Sequence, residues 1–232
     1  MNSPALFDRF ERIFIVSLPE RKDRRREMTE QLKKVGLAND PRVQFFDAVR
    51  PTDRGRFGSV GANGCFSSHL QILQKSAGSS VLILEDDCDF TDAVRTASLP
   101  DDFDIFYGGY LEASDPSNLN DSNIIGSHFM GFNAASAQKA ADYLNGLLAD
   151  KIEHDPRAVK DPTYDPQILP PIDGAYVWFR RAHHELNTIF AEPQVAVQRP
   201  SRTDIGDQKF YDRIPVLRGA ADWARRLKRE LR

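Results

Sequence analysis

Cysteine is scarce in this chain, and long apolar runs are missing. The 232 residues include two cysteines, Cys65 and Cys88, which are too few for a disulfide framework. No stretch of about 18 apolar residues occurs, so the sequence predicts no membrane-spanning helix. The first residues also lack the basic and then apolar order of a secretory signal peptide. We therefore expect a cytoplasmic protein in which both thiols are buried and reduced.

The chain also lacks a basic excess. Its formal net charge is −3, and residues 81–173 carry 18 acidic but only 5 basic side chains. Nucleic-acid binding needs a continuous basic stripe, so this distribution argues against a nucleic-acid partner. An acidic middle between more basic ends instead suits a site where a cation and basic side chains together hold an anion.

The most informative stretch is an apolar run that ends in three acids. Residues 81–84 are apolar and mostly branched, which predicts a strand buried on both faces in a parallel sheet. Ligands bind at the carboxyl ends of such strands, where Glu85, Asp86 and Asp87 would lie. Three adjacent carboxylates favour a bound divalent cation, since hard cations prefer carboxylate oxygens. The alternative is that these acids only mark the return of the chain to solvent.

The rest of the sequence alternates between strand and helix patterns. We predict a single α/β domain over residues 1–232, with a mostly parallel central sheet flanked by helices. The predicted strands are 13–18, 43–49, 103–110, 127–133 and 195–200. The predicted helices are 20–35, a segment that begins at Ser67 as its N-cap, 134–148 and 220–232. Loops are expected at 50–63, 112–123 and 153–171. The last helix is basic and amphipathic, so it would either dock on the domain or lie on an anionic membrane surface.

Three segments, in this order and spacing, resemble glycosyltransferase family 25: residues 17–24, 64–69 and 82–87. Residues 172–173 and 198–205 are similar to later landmarks of that family, though more loosely. The resemblance implies a GT-A-like fold and a UDP-sugar donor. It also implies a divalent metal, usually Mn²⁺ although Mg²⁺ is possible, and inversion at the anomeric carbon.

The resemblance also implies roles for individual residues. Asp87 matches the metal ligand of the family's acidic motif, and Glu85 would face the metal or the ribose. The residues expected near the donor are Arg21, Arg24, Ser68, His69, Glu85 and Asp86. Inversion requires a base for the attacking hydroxyl, and Asp173 is our candidate. Two alternatives stay open at this point: Asp173 could form an Asx-type turn, and His69 could be purely structural.

The resulting hypothesis is a transferase that moves galactose or glucose from a UDP-sugar to a glycan or lipid-linked sugar. Lipopolysaccharide or other surface glycan biosynthesis would be its role, with peripheral contact at the inner membrane face. One alternative is a non-catalytic member of the fold that binds a nucleotide or glycan. Another is a metal-dependent phosphoesterase, which His128, Asp173 and Asp204 could complete.

Overall fold

A six-stranded sheet organises residues 4–200, the part of the chain that the computed structural model describes. In spatial order its strands are β2 (Val43–Asp47), β1 (Arg12–Ser17), β3 (Val81–Glu85), β8 (Phe129–Phe132), β5 (Ile105–Gly109) and β9 (Thr188–Phe190). All are parallel except β8, which runs antiparallel to both of its neighbours. The predicted mostly parallel central sheet is therefore confirmed.

Helices cover both faces of this sheet, which confirms the predicted α/β architecture. They are α1 (Lys22–Lys34), α2 (Val60–Lys75), α3 (Ala134–Leu148), α4 (Pro156–Val159) and α5 (Ile172–Ala182), with short 3-10 helices at Ala5–Arg9 and Asp92–Arg95. Two small antiparallel sheets complete the described residues. One pairs β4 (Cys88–Phe90) with β10 (Ala196–Gln198), and the other pairs β6 (Glu112–Ala113) with β7 (Ile124–Ile125).

Strand β3 shows how the core forms on both sides of the sheet. Successive side chains of a strand point to opposite faces. Val81 and Ile83 pack on the face covered by α2, α3 and α5, whereas Leu82 and Leu84 pack on the face covered by α1. All four are fully buried, and each burial contributes about 2 kcal/mol to stability. The strand is therefore fixed from both sides, and its carboxyl end is held in a defined place.

Helix α2 begins earlier than predicted. Its N-cap is Ser59, whose hydroxyl accepts a first-turn backbone N–H at 3.0 Å, whereas the predicted N-cap Ser67 lies inside the helix. The low helix propensity of glycine hid this start. Gly64 is required here because a Cβ atom would lie 2.6 Å from the carbonyl oxygen of Val49. His69 consequently lies in the third turn of α2 and not in the first.

The boundaries of two further helices agree with the predictions, whereas one helix and the pairing of one strand were not predicted. Helix α3 coincides with the predicted 134–148 segment, and α1 lies within 20–35. Helix α5 was not predicted as a helix. Strand β10 was predicted, but it pairs with β4 outside the central sheet. The predicted helix at 220–232 lies outside the described residues.

Between residues 4 and 200, no helix is both long and apolar enough to cross a bilayer.

Candidate active site

Three carboxylates leave the sheet at the end of β3, as the sequence predicts. Because β1 and β3 are parallel and paired, with Val16 opposite Glu85, the end of β1 brings Ser17 to the same edge. Helix α1 follows β1 after a short turn and brings Arg24 in its first turn. The carboxyl edge of the sheet thus places one hydroxyl and one guanidinium beside the three acids.

Asp86, the middle acid, is held by protein partners. Its carboxylate accepts hydrogen bonds from the hydroxyl of Ser17 at 2.7 Å and from Nη1 of Arg24 at 2.8 Å. The residue is only 6% exposed. These bonds give Asp86 a clear role in fixing Arg24, and contact with a donor stays a prediction for this residue.

Asp87 is weakly neutralised by comparison. The same Nη1 of Arg24 lies 3.4 Å from its carboxylate, and the amide of Gln198 donates to both carboxylate oxygens at 3.3 Å. Burial raises the pKa of Asp87 despite the opposing effect of Arg24, and the neighbouring Asp86 raises it further. A buried carboxylate whose nearest guanidinium among residues 4–200 is shared with Asp86 favours an added cation.

Glu85 is also buried close to other acids, Asp87 among them. Ser127 donates a hydrogen bond to its carboxylate at 2.9 Å. Burial, and then the charge of Asp87, raise the pKa of Glu85 to about 8. Asp173 also contributes to this rise, which places a fourth carboxylate near the three acids of the 85–87 segment. Four acids around one position repel one another unless positive charge is present.

Asp173 reaches the site from the first turn of α5. One carboxylate oxygen accepts the backbone N–H of Gly126 at 3.1 Å, and the other accepts that of Gly174 at 2.9 Å. Burial raises the pKa of Asp173 although these bonds oppose the shift. The bond from Gly174 comes from the next residue, whereas an Asx-type turn uses the N–H two residues on. The bond from Gly126 ties Asp173 to the loop beside β8.

Helix α2 contributes Ser68 and His69, and His69 lies close to Glu85. His69 is 0% exposed, and its Nδ1 lies 3.0 Å from the hydroxyl of Tyr176. Burial lowers the pKa of His69 to about 3, so the imidazole is neutral. The hydroxyl of Ser68 accepts the backbone N–H of Val49 at 2.8 Å and donates to the carbonyl of Gly64 at 2.7 Å. Ser68 therefore fastens the chain after β2 to α2, and its contact with a donor stays a prediction.

Arg21 lies at the N-cap position of α1 and forms a bidentate contact with Asp23, with distances from 2.9 to 3.3 Å. This ion pair lowers the pKa of Asp23 to about 2. The role of Arg21 in donor binding is a prediction that this geometry neither supports nor opposes.

Two surface clefts lie away from these acids. One, of about 480 Å³, includes Arg157 and Arg180 in its wall, and the other, of about 460 Å³, includes Arg12 and Lys75. Neither is lined by the acids of the 85–87 segment. The candidate site is therefore defined by its charges and hydrogen bonds, and it is separate from both of these clefts.

The ligand atoms available at this site fit a hard divalent cation. Glu85 and Asp87 offer carboxylate oxygens, which Mn²⁺ and Mg²⁺ prefer. Burial raises the pKa of both residues, and a bound cation would favour their ionised forms. These two residues would hold the metal that the sequence predicts.

Sequence reasoning missed several residues of this site. Ser17 is the last residue of β1. A prediction that β1 pairs with β3 would have placed Ser17 beside the three acids. Cys65 lies near Glu85 and was missed, although it is four residues before the predicted His69 on one helix, a spacing that the sequence shows. Ser127 and Gln198 arrive through tertiary contacts for which the sequence carries no local pattern.

Comparisons with known proteins give little further information. No protein-family model matches the chain, and no curated protein matches it. The resemblance to glycosyltransferase family 25 thus stays a prediction from the motifs.

Two solved structures show a weak likeness. The first is a glycosyltransferase involved in the glycosylation of the major capsid of PBCV-1, with 10% identity and a TM-score of 0.44, covering 78% of this chain and 81% of that chain. The second is CTP:phosphocholine cytidylyltransferase from Streptococcus pneumoniae, with 12% identity and a TM-score of 0.38, covering 81% and 72%. Likenesses at this level support no statement about chemistry.

Proposed function

We propose that this protein is a divalent-metal-dependent transferase that moves a hexose from a UDP-sugar to a glycan acceptor, with inversion at the anomeric carbon. One observation carries the proposal: Glu85 and Asp87 lie at the carboxyl end of β3 in a mostly parallel sheet, and Nη1 of Arg24 lies 3.4 Å from the carboxylate of Asp87. Asp173 is close enough for its charge to raise the pKa of Glu85. Ligands of open α/β sheets bind at this edge. Excess negative charge there suits a site completed by a cation and a diphosphate.

Donor binding would depend on Asp87, Glu85 and Arg24. The two carboxylates would hold Mn²⁺ or Mg²⁺, which when bound would offset the negative charge of the departing diphosphate. Arg24 is fixed by Asp86 at 2.8 Å, so its orientation is set before any ligand arrives. A preorganised guanidinium stabilises developing charge without having to reorganise during the reaction.

Asp173 would act as the base. The acceptor oxygen bonds to the anomeric carbon while its proton moves to the carboxylate of Asp173. The electron pair of the broken bond leaves with the diphosphate of UDP. Burial raises the pKa of Asp173, so its carboxylate is a stronger base than an exposed aspartate.

The identity of the two sugars rests on the motif resemblance. It supports galactose or glucose as the transferred hexose and a glycan or lipid-linked sugar as the acceptor, in lipopolysaccharide or other surface glycan biosynthesis. A cytoplasmic location at the inner membrane face fits this role, because the basic helix predicted for 220–232 could contact anionic lipid.

One observation favours the non-catalytic alternative. Both oxygens of Asp173 already accept backbone N–H groups, from Gly126 and Gly174. If those bonds persist in the presence of ligands, Asp173 is a turn residue, and the site binds a nucleotide or glycan without turnover.

Radiolabelled UDP-galactose and UDP-glucose test the proposal. Full-length protein is incubated with each donor, a mixture of glycan acceptors and Mn²⁺, and transfer and donor hydrolysis are measured with and without EDTA. We expect turnover with one donor, its loss in EDTA, and a loss of at least about 100-fold in Asp87→Asn. The matched control is Asp142→Asn, which removes the same charge from the exposed face of α3.

Two results would decide against the transferase, and a third would decide against its metal dependence. UDP binding that needs Mn²⁺ but gives no turnover would favour the non-catalytic alternative. Release of phosphate from simple esters would favour a phosphoesterase. Transfer that persists in EDTA and in Asp87→Asn would remove the metal from the proposed mechanism.

A further inference from the structure

The thiol of Cys65, the imidazole of His69 and the carboxylate of Glu85 lie close together at the carboxyl end of β3. Cys65 and His69 are four residues apart in α2, so they lie on the same face of the helix. That face meets the end of β3 at Glu85. One ligand atom from each of these three residues lies within 4.8 Å of the other two.

The hydrogen bonding of His69 leaves one ring nitrogen for a ligand. Nδ1 is engaged by the hydroxyl of Tyr176 at 3.0 Å. Nε2 is buried and has no hydrogen-bond partner among residues 4–200. Buried polar atoms are almost always paired, so this nitrogen calls for an explanation. Metal-bound histidines typically use their second nitrogen in a hydrogen bond that fixes the tautomer and the ring orientation. Tyr176 is placed to serve in that way.

The chemistry of the three groups selects the type of cation. Mg²⁺, Ca²⁺ and Mn²⁺ prefer oxygen ligands, whereas sulfur and imidazole nitrogen favour Zn²⁺. Zinc bonds of about 2.0–2.3 Å place ligand atoms about 3.3–3.8 Å apart in a tetrahedral site. Cys65, His69 and Glu85 could reach this spacing from 4.8 Å or less through small side-chain rotations. Three protein ligands would leave one position open.

We propose that Cys65, His69 and Glu85 form a binding site for Zn²⁺ or a similar borderline divalent cation. This site differs from the oxygen-ligand site proposed at Asp87, although Glu85 is common to both. A zinc ion on the first site would therefore engage a carboxylate that the second site needs. The inference does not depend on the proposed transferase activity, because its readout is metal binding itself.

Cobalt titration of the full-length protein tests the site, since Co²⁺ replaces Zn²⁺ and reports a thiolate ligand by a charge-transfer band in the near ultraviolet. We expect one equivalent of Co²⁺ to produce this band and Zn²⁺ to abolish it. In Cys65→Ser the band should disappear and zinc affinity should fall at least about tenfold. Cys88→Ser is the matched control, since Cys88 is the other free cysteine and is buried in β4. Asp87→Asn should also keep the band.

Several outcomes would overturn the inference: no thiolate band in the wild-type protein, a band that survives in Cys65→Ser, or a band lost in Cys88→Ser. X-ray absorption of the zinc-loaded wild-type protein provides a check that needs no variant. One sulfur among nitrogen and oxygen neighbours is the expected shell, and a shell of oxygen alone would contradict the site. Because no donor sugar enters these experiments, their failure would leave the transferase proposal untouched, and the reverse also holds.

Discussion

Asp86 and Asp87 are adjacent acids, and the structure predicts that neutralising Asp86 costs much more stability than neutralising Asp87. Asp86 accepts from Ser17 at 2.7 Å and from Arg24 at 2.8 Å, and it is 6% exposed. Removing one partner of a buried ion pair costs about 3–5 kcal/mol. Asp86→Asn keeps an oxygen for Ser17, and Arg24 retains Asp87 at 3.4 Å. We therefore expect a loss of about 2–3 kcal/mol in the free energy of unfolding.

Asp87→Asn removes the same charge one residue later. The carboxylate of Asp87 has a longer contact with Arg24 and weak hydrogen bonds from Gln198, and it is repelled by Glu85 and Asp86. The relief of repulsion and the loss of these contacts oppose each other. Without metal, we expect the free energy of unfolding to change by no more than about 1 kcal/mol in either direction.

Urea unfolding followed by circular dichroism, with EDTA present, measures both variants under the same conditions. The comparison controls for net charge and for position in the sequence. Equal losses for the two variants, or a larger loss for Asp87→Asn, would refute the assignment of Asp86 as the structural acid and Asp87 as the ligand-binding acid.

Three further predictions concern the surrounding fold. Ser68→Ala should lower the free energy of unfolding by about 1–2 kcal/mol, since it leaves the partly buried N–H of Val49 without its side-chain acceptor, and a urea midpoint unchanged from wild type would contradict this. Gly108→Ala should cost about 1–3 kcal/mol in the same assay, because its Cβ would lie 2.3 Å from the buried ring of Phe129; a neutral change would mean that the ring can move. Burial lowers the pKa of His128 from 6.5 to about 4, so the stability it contributes is complete above pH 6.5 and is lost, by up to about 3 kcal/mol, as the pH falls towards 4. Unfolding at pH 7 and pH 4.5 should show a smaller loss in His128→Asn than in wild type, and identical pH profiles would refute the idea.

Periodicity and composition predicted those parts of the fold that local interactions determine. The apolar run before Glu85 predicted β3, and the pattern of residues 134–148 predicted α3. The direction of β8 could not be predicted, because an apolar run has the same pattern in either direction. Helix α5 was missed because Tyr176, Val177 and Trp178 favour strands, and burial between the sheet and α3 overrides that propensity.

The candidate site was predicted only where one segment carries it. Glu85 and Asp87 were named from the strand that ends at Glu85, and that strand is observed. Their role as metal ligands stays a prediction. The contact between α2 and β3 that brings Cys65 to Glu85 joins residues 20 positions apart in the chain, and only the fold creates it. The same holds for Ser17, whose bond with Asp86 needs the pairing of β1 with β3.

Calorimetric titration with UDP tests the central claim, that the acids after β3 hold a divalent ion for a nucleotide diphosphate. Wild-type protein should bind UDP in the presence of Mn²⁺ and lose that binding in EDTA. Asp87→Asn should weaken Mn²⁺-dependent binding at least about tenfold, which corresponds to about 1.4 kcal/mol, while Asp142→Asn should bind as wild type does. UDP affinity that is the same with Mn²⁺, with EDTA and in Asp87→Asn would contradict the account.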